Sequence, residues 1–271
     1  VEDQDYGQFI RSVKISTGID LSQYKETQMK RRLTTLRNKR GFDTFAEYYQ
    51  AIMKDRALMN EFLDRLTINV SEFWRNPNRW EVLEKKLLPE LIRQRGPRLK
   101  CWSAACSTGE EPYTLAMILA ELGVLAQCQI IASDIDEGAL DKAKQGVYPE
   151  QSVRDVPPHY LATYFTAEGG SYAVSSTLKK AVRFEKKNLL ADPFDTEFDL
   201  IICRNVIIYF TEEAKLELYR KFSRSLRPGG LLFVGSTEQI FSPGNFQLEQ
   251  ADLFFYRKKS GAFPGSEGIY V

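Results

Sequence analysis

Apolar side chains recur every three to four positions through roughly the first quarter of the chain, in four stretches parted by short polar turns. YGQFIRSVKIST, YKETQMKRRLTTLRNKR, TFAEYYQAIMKD and ALMNEFLDRLTI each carry the period of a helix with one apolar face, and Gly41 stops the second of them. From about residue 80 the grammar changes, and such stretches alternate with short, continuous apolar runs. Helix WEVLEKKLLPELI, strand LKCWSA, helix PYTLAMILAEL, strand CQIIASDID and helix EGALDKAKQGVY follow one another. That alternation predicts a parallel sheet with helices on both faces. Between the two regimes TINVSEFWRNPNRW breaks helix period and gathers Asn69, Ser71, Arg75, Asn76 and Pro77.

The pattern divides the chain into a helical domain over 1–68, a linker over 69–80, an α/β domain over 81–259 and a flexible tail over 260–271. Inside the α/β domain residues 147–187 interrupt the rhythm with proline pairs and a Gly-Gly turn between YF and SYAVS, which predicts a small β-hairpin insert. Strand AVRFEKKNLL then resumes the main pattern, followed by strand FDLIICRNVIIYF, which sets Arg204 and Asn205 at the sheet's carboxyl edge where doubly wound folds bind ligands, and by helix TEEAKLELYRKFSRSL. Arg227-Pro228-Gly229-Gly230 carries a type II turn signal before strand LLFVGS, and an antiparallel pair around FQLEQADLFFYRKK closes the sheet.

The stretch with the most chemistry is CWSAACSTGEEP, residues 101–112, an apolar strand entering a turn of tiny residues and then a helix. Ala104, Ala105, Ser107 and Gly109 keep bulk off that turn, so that a ligand could approach the amides at the helix N-terminus. Glycine-rich phosphate loops have more glycine than this and avoid acid in the first turn, whereas Glu110 and Glu111 stand there. S-adenosylmethionine carries an ammonium and a sulfonium and no phosphate, and acid beside a small-residue turn suits it better than it suits NAD or ATP. The competing reading is helix capping, since Ser107 with Glu110 and Thr108 with Glu111 both have capping-box spacing. Asp134 closes the next strand 25 positions after Gly109, the place from which ribose hydroxyls are gripped; the competing reading is that Asp134 only starts a turn and Asp136 caps the following helix.

Composition removes several alternatives. A net charge of +1 gives no global pull toward nucleic acid or membrane, and no apolar run reaches the length of a membrane span, so the expected compartment is the cytoplasm. Cys101, Cys106, Cys128 and Cys203 form no CxxC pair and are expected as buried free thiols. A single histidine, His159, in the polar stretch RDVPPHY and expected in a surface loop, leaves neither a His-dependent metal site nor Ser-His-Asp machinery, and no metal is expected. Local charge is more telling: from Tyr24 to Arg40 the second helix carries Lys25, Lys30, Arg31, Arg32, Arg37, Lys39 and Arg40 against Glu26 alone. That face either meets an acidic partner or is simply solvated.

Taken together, NVSEFWRN, WSAACSTGEEPY, ASDID, NLL, FDLIICRNVIIYF and LRPGGLLFVGSTE resemble the CheR family, the chemotaxis receptor methyltransferases, over almost the whole chain. The resemblance implies a class I S-adenosylmethionine-dependent methyltransferase: a Rossmann-like, mostly parallel seven-stranded sheet with a small N-terminal all-helical domain and a small antiparallel β insert. The reaction it implies is esterification of particular glutamates on the cytoplasmic helices of transmembrane chemoreceptors, with S-adenosyl-L-homocysteine as product and recruitment to membrane receptor arrays. Asn69, Ser71 and Arg75 would reach the cofactor from the linker and Glu111 would contact its methionyl end. Asp134 would hold the ribose, Asn188 and Leu189 would border the adenine, and Asn205 with Val206 would line the pocket floor. Arg75 and Tyr209 would flank the transferring methyl, and the basic helix Tyr24 to Arg40 would face the receptor. Some members dock a receptor C-terminal pentapeptide on a longer insert loop than YFTAEGGSYAVSS, so this chain is similar to the pentapeptide-independent kind.

Two rival classes stand beside this one, a nucleic-acid methyltransferase suggested by the basic helix and a non-enzymatic cofactor-binding regulator suggested by the glycine-poor loop. Amino-methylating enzymes of nucleic acids place an Asn/Asp-Pro-Pro-Tyr motif where this chain reads RNVIIYF, without the prolines that hold a flipped base. A cofactor-binding regulator without activity would bind the methyl donor and transfer nothing.

Overall fold

The computed structural model describes residues 2–67 and 71–260, and Asn69 lies outside them, as do the linker's first residues and the tail beyond Ser260. Four helices open the chain, α1 (Glu2–Thr17), α2 (Glu26–Lys39), α3 (Phe45–Ile52) and α4 (Arg56–Leu66). Thr44 starts α3 with a full capping box to Glu47, and Asp55 caps α4 through the amides of Ala57 and Leu58. Their apolar stripes meet in an aromatic centre in which the Phe9 ring lies 5.0 Å from Phe45 and 5.9 Å from Phe62, all fully buried.

After the linker come α5 (Pro77–Val82) and α6 (Leu88–Arg95), joined without a break by a π-helical turn over Leu83–Leu87. Pro89 has no N–H to give to the preceding turn, and the helix accommodates it by widening, with the Leu88 amide reaching back to the Leu83 carbonyl. The α/β units are β1 (Lys100–Ala104), α7 (Glu110–Glu121), β2 (Gln129–Asp134) and α8 (Glu137–Gln145). The insert follows as β3 (Val147–Pro149), α9 (Glu150–Val153), α10 (Pro158–Tyr164), β4 (Phe165–Glu168), β5 (Ser171–Val174) and α11 (Ser176–Ala181). Next are β6 (Val182–Lys186), β7 (Phe198–Cys203), α12 (Glu212–Ser225), β8 (Leu226–Val234), β9 (Leu248–Asp252) and β10 (Phe255–Lys258).

The main sheet has seven strands in the order β6-β2-β1-β7-β8-β10-β9, parallel from β6 to β8, with β10 antiparallel to β8 and to β9. Order reverses between β1 and β7, which makes the carboxyl ends of those strands the place where a doubly wound sheet binds ligands. Alternate residues of β7 serve opposite faces: Ile201 and Cys203 join the core shared with the N-terminal helices, Leu200 and Ile202 the core under α6 and α7. Residues Arg227 to Gly230 do not form a turn ahead of the strand, as their sequence suggests. They bulge within β8, where Phe198 pairs with Leu226 but Leu200 pairs with Leu231.

The insert is a three-stranded sheet, β3-β5-β4, rather than a lone hairpin, because Val147–Pro149 adds itself to β5. Its tip is the tight Gly169-Gly170 turn, both residues at positive φ. His159 is exposed, as expected, but sits in α10 with its ring 4.1 Å from that of Tyr160 rather than in a loop. All four cysteines are free, and burial raises the thiol pKa of each. Among the described residues no helix is long and apolar enough to cross a membrane.

Candidate active site

A pocket opens at the carboxyl ends of β1, β2, β6 and β7, roofed by the linker and by Tyr24 from the helical domain. The chain leaves β1 through Ala105 and Ser107, both in the left-handed region, φ 59° and 49°, and enters α7 from Gly109 at φ 94°. That path turns the small residues Ala105, Cys106 and Ser107 toward the cavity. Gly109 does not face it: a Cβ there would lie 2.8 Å from the Ala143 Cβ and 3.1 Å from the Tyr148 hydroxyl. Its smallness serves the packing of α8 and the insert against the loop, not the approach of a ligand.

Neither capping box forms. The α7 N-cap is Gly109, without a side-chain bond, and the two acids find other partners. Glu110 is buried, accepting hydrogen bonds from the Thr108 hydroxyl at 2.7 and 2.9 Å and from Ser71 of the linker. Glu111 lines the pocket, takes the Ser103 hydroxyl at 2.7 Å, and stands 3.7 Å from the Arg204 guanidinium. Burial lifts its carboxyl from the ordinary 4.5 to about 7, with Arg204 and Ser103 opposing the shift. A buried acid in that condition is an anion site short of cationic charge.

Asp134 ends β2 with its carboxylate inside the pocket wall, accepting the Ser107 amide at 2.8 Å and the Asp136 amide at 3.0 Å. Burial raises its pKa while those amides hold it down. Asp136 caps α8 through the Ala139 amide at 3.1 Å. Past β6, Asn188 folds its side-chain carbonyl onto the Leu190 amide at 3.0 Å, so its NH2 group is what it can offer a ligand, and Leu189 and Leu190 form the apolar wall beside it.

The fourth wall comes from the exit of β7. Asn205 stands at φ 60°, Val206 follows, and Tyr209 closes the turn, half-buried with the Arg32 guanidinium 5.5 Å from its ring. Against this turn lies the start of α2: the Lys25 amide donates to the Tyr209 carbonyl at 2.9 Å, the Thr211 amide to the Gln23 carbonyl at 2.8 Å, and the Tyr24 ring packs 5.1 Å from Phe210. The linker is fixed from the other side. Phe73 packs on Tyr148 and Phe165, and the Arg75 carbonyl accepts from both Arg204, at 2.8 Å, and the Trp80 indole, at 3.1 Å.

Of the residues singled out from the sequence, Ser71, Arg75, Glu111, Asp134, Asn188, Leu189, Asn205, Val206 and Tyr209 all line this one pocket. Arg204, which the sequence sets with Asn205 at the sheet's carboxyl edge, is as central, and so are two residues that sequence reasoning passed over, Tyr24 and Glu238. Arg204, buried over the faces of Phe233 and Trp80, ties the linker, through the Arg75 carbonyl and the Asn76 side chain, to Glu111. Its signal was a charged residue directly behind six buried strand positions. Tyr24 brings the helical domain to the cavity, and nothing in the helix pattern marks it. Glu238, only 4% exposed, accepts the amides of Asn205, Val206, Ile207 and Gly235. Two acids, small loop residues and an apolar slot suit a cationic nucleoside and disfavour a polyphosphate.

Comparison with known proteins agrees with this geometry. Residues 4–67 match the family described as "CheR methyltransferase, all-alpha domain" and residues 69–255 match "CheR methyltransferase, SAM binding domain". A chemotaxis protein methyltransferase of Listeria monocytogenes is 43% identical over 256 residues, covering 94% of this chain and 98% of its own. Chemotaxis protein methyltransferase 1 of Pseudomonas aeruginosa is 36% identical, covering 94% of this chain and 98% of its own. That of Borreliella burgdorferi is 34% identical, with 94% of each chain covered.

Proposed function

The chain belongs to the CheR methyltransferase family, and from that premise we propose that it esterifies specific glutamates on the cytoplasmic helices of chemoreceptors, as a step of chemotactic adaptation. It is an S-adenosylmethionine-dependent methyltransferase. The observation that carries the acceptor chemistry is the joining of five separated stretches, 71–75, 111, 134, 188–189 and 205–209, around one cavity whose described lining holds acids, two arginines and two tyrosines but no histidine.

When bound, the cofactor supplies an electrophilic methyl on a sulfonium. Glu111 would pair with the ammonium of its methionyl end, and Asp134 would accept from the ribose hydroxyls with the lone pairs its two amide partners leave. Asn188 and Leu189 would flank the adenine, while Ser71, Asn205 and Val206 would complete the enclosure. A glutamate is ionised at neutral pH and needs no general base. The task left to the protein is to orient and desolvate that carboxylate behind the methyl. Arg75 provides a permanent, planar, bidentate donor for it, and its backbone is held by Arg204 and Trp80. Tyr209 stands across the same cavity.

The receptor meets the face of α2, which brings the protein to membrane receptor arrays from the cytoplasm. The two-residue tip of the insert leaves no loop on which to seat a receptor pentapeptide, in line with the pentapeptide-independent kind.

Tritiated cofactor incubated with receptor-bearing membranes and then treated with base tests this reading. Label released as methanol is the expected result, whereas base-stable label, or none, rejects a glutamyl ester. In the same assay Arg75→Ala lowers turnover by about 100-fold or more while changing cofactor affinity far less. Unchanged turnover removes Arg75 from the reaction.

A further inference from the structure

Glu238 is buried 33 positions after the turn that it touches. One carboxylate oxygen takes the Asn205 amide at 2.7 Å and the Gly235 amide at 2.8 Å, and the other takes Val206 at 2.9 Å and Ile207 at 2.8 Å. Three successive amides converging on one point, with Asn205 in the left-handed conformation, form an anion-binding concavity. Here a side chain of the same chain fills it. Room for that carboxylate is built in, because any side chain at Gly235 would run into it and into the Asn205 amide. Asn205 and Val206 line the cofactor pocket, and the turn continues directly into Tyr209.

We propose that Glu238 is a positioning residue for methyl transfer: its carboxylate acts as an internal anion that holds the Asn205–Ile207 amides in place, and so sets the wall carrying Asn205, Val206 and Tyr209. It does not line the pocket itself and acts through the turn. Left without it, four amides would lose their buried acceptor, and the turn would relax to find water or other partners. An external carboxylate of the right size can restore the arrangement, since the concavity recognises negative charge and not the linkage to residue 238. The proposal rests on the pocket being the cofactor site. Its primary readout is therefore binding of S-adenosylhomocysteine, which is measurable whether or not receptor glutamates are the acceptor.

The experiment measures S-adenosylhomocysteine affinity by calorimetry, with turnover alongside, for the wild-type chain, Glu238→Ala and Glu238→Gln. Glu238→Ala is expected to bind about 100-fold more weakly, given the several charge-assisted bonds lost. Millimolar formate or acetate should recover about tenfold of that loss and leave the wild type unaffected. Glu238→Gln, of equal size, turns an acceptor into a donor against the same amides and is expected to be similarly weak without responding to formate. Affinity within about twofold of wild type in either variant overturns the proposal, and so does a folded Glu238→Ala that formate does not rescue. If Glu238→Ala fails to fold, Glu238→Gln decides by its affinity. Unfolding of both variants overturns the proposal in favour of a purely structural role.

Discussion

Glu111 stands in the pocket with less positive charge around it than a buried carboxylate needs. The nearest cation, Arg204, is 3.7 Å away and gives its other terminal nitrogen to Arg75 and Asn76. The pKa near 7 follows, and it has two consequences of opposite sign. Because the folded-state value lies above the ordinary 4.5, the protein without ligand loses stability as pH rises from about 4.5 through about 7. The loss is on the order of 3 kcal/mol at most, and the folded form is favoured on the acid side. An ammonium beside the carboxylate favours the ionised form, so affinity for the cofactor product should increase over that same window. Calorimetry with S-adenosylhomocysteine between about pH 5.5 and about pH 8 reads the second effect, and thermal melting of the unliganded chain reads the first. Glu111→Gln should flatten both; a sloping affinity profile in that variant places the titrating acid elsewhere.

Single residues were legible in the sequence where type and position reinforced each other. Glu111 behind a small-residue turn and Asp134 at a strand end could be picked out as pocket residues by what they are and where the apolar pattern stops. Glu238 does not, because its partners are backbone amides, which look the same in every sequence, on a turn that only the sheet topology brings beside it. Arg204 was visible as a charge behind an apolar strand. Its office as the tie between linker and loop depends on the Arg75 carbonyl, and no side-chain pattern reports that.

The elements follow the apolar periodicity closely where one face is buried, and depart from it where proline or glycine intervenes. Pro89 widens α5 and α6 into one helix with a π turn instead of breaking them, and Arg227 to Gly230 bulges inside β8. The strand–loop–helix unit from β1 to α7 illustrates how a correct element can carry a wrong reason. Gly109 looks like room for a ligand, yet its missing Cβ is room for Ala143 and Tyr148. Gly109→Ala should therefore destabilise the fold by about 2–4 kcal/mol, combining a left-handed alanine with overpacking. Urea denaturation measures that directly. A variant that keeps full stability but loses cofactor affinity would return Gly109 to the ligand's side of the loop.

At the scale of the molecule, the helical domain and the sheet share one pocket and one hydrophobic core. Tyr24 bridges to Phe210, and the core of α1 to α4 runs on into the face of the sheet that carries Trp102 and Ile201. The basic helix is accordingly less free than its charge count suggests. Arg37 is buried over the Phe45 ring, Arg32 binds the carbonyls of Arg65 and Leu66, Lys30 pairs with Asp3, and Lys39 and Arg40 lie beside Glu61. Arg31 is exposed on the groove between α2 and α4 beside Gln28, Thr35 and Arg65, and it is the cation that the proposed receptor contact on α2 would use. Reversing it with Arg31→Glu should raise KM for receptor-bearing membranes about tenfold at low ionic strength, and the effect should shrink as salt screens it over about 10 Å. S-adenosylhomocysteine affinity should stay as in the wild type, because Arg31 does not line the cofactor pocket. An unchanged KM at low salt would move the receptor contact off this face. A fall in cofactor affinity would instead mean that charge on α2 is felt through Arg32, which lines the groove and lies 5.5 Å from the ring of Tyr209 in the pocket wall.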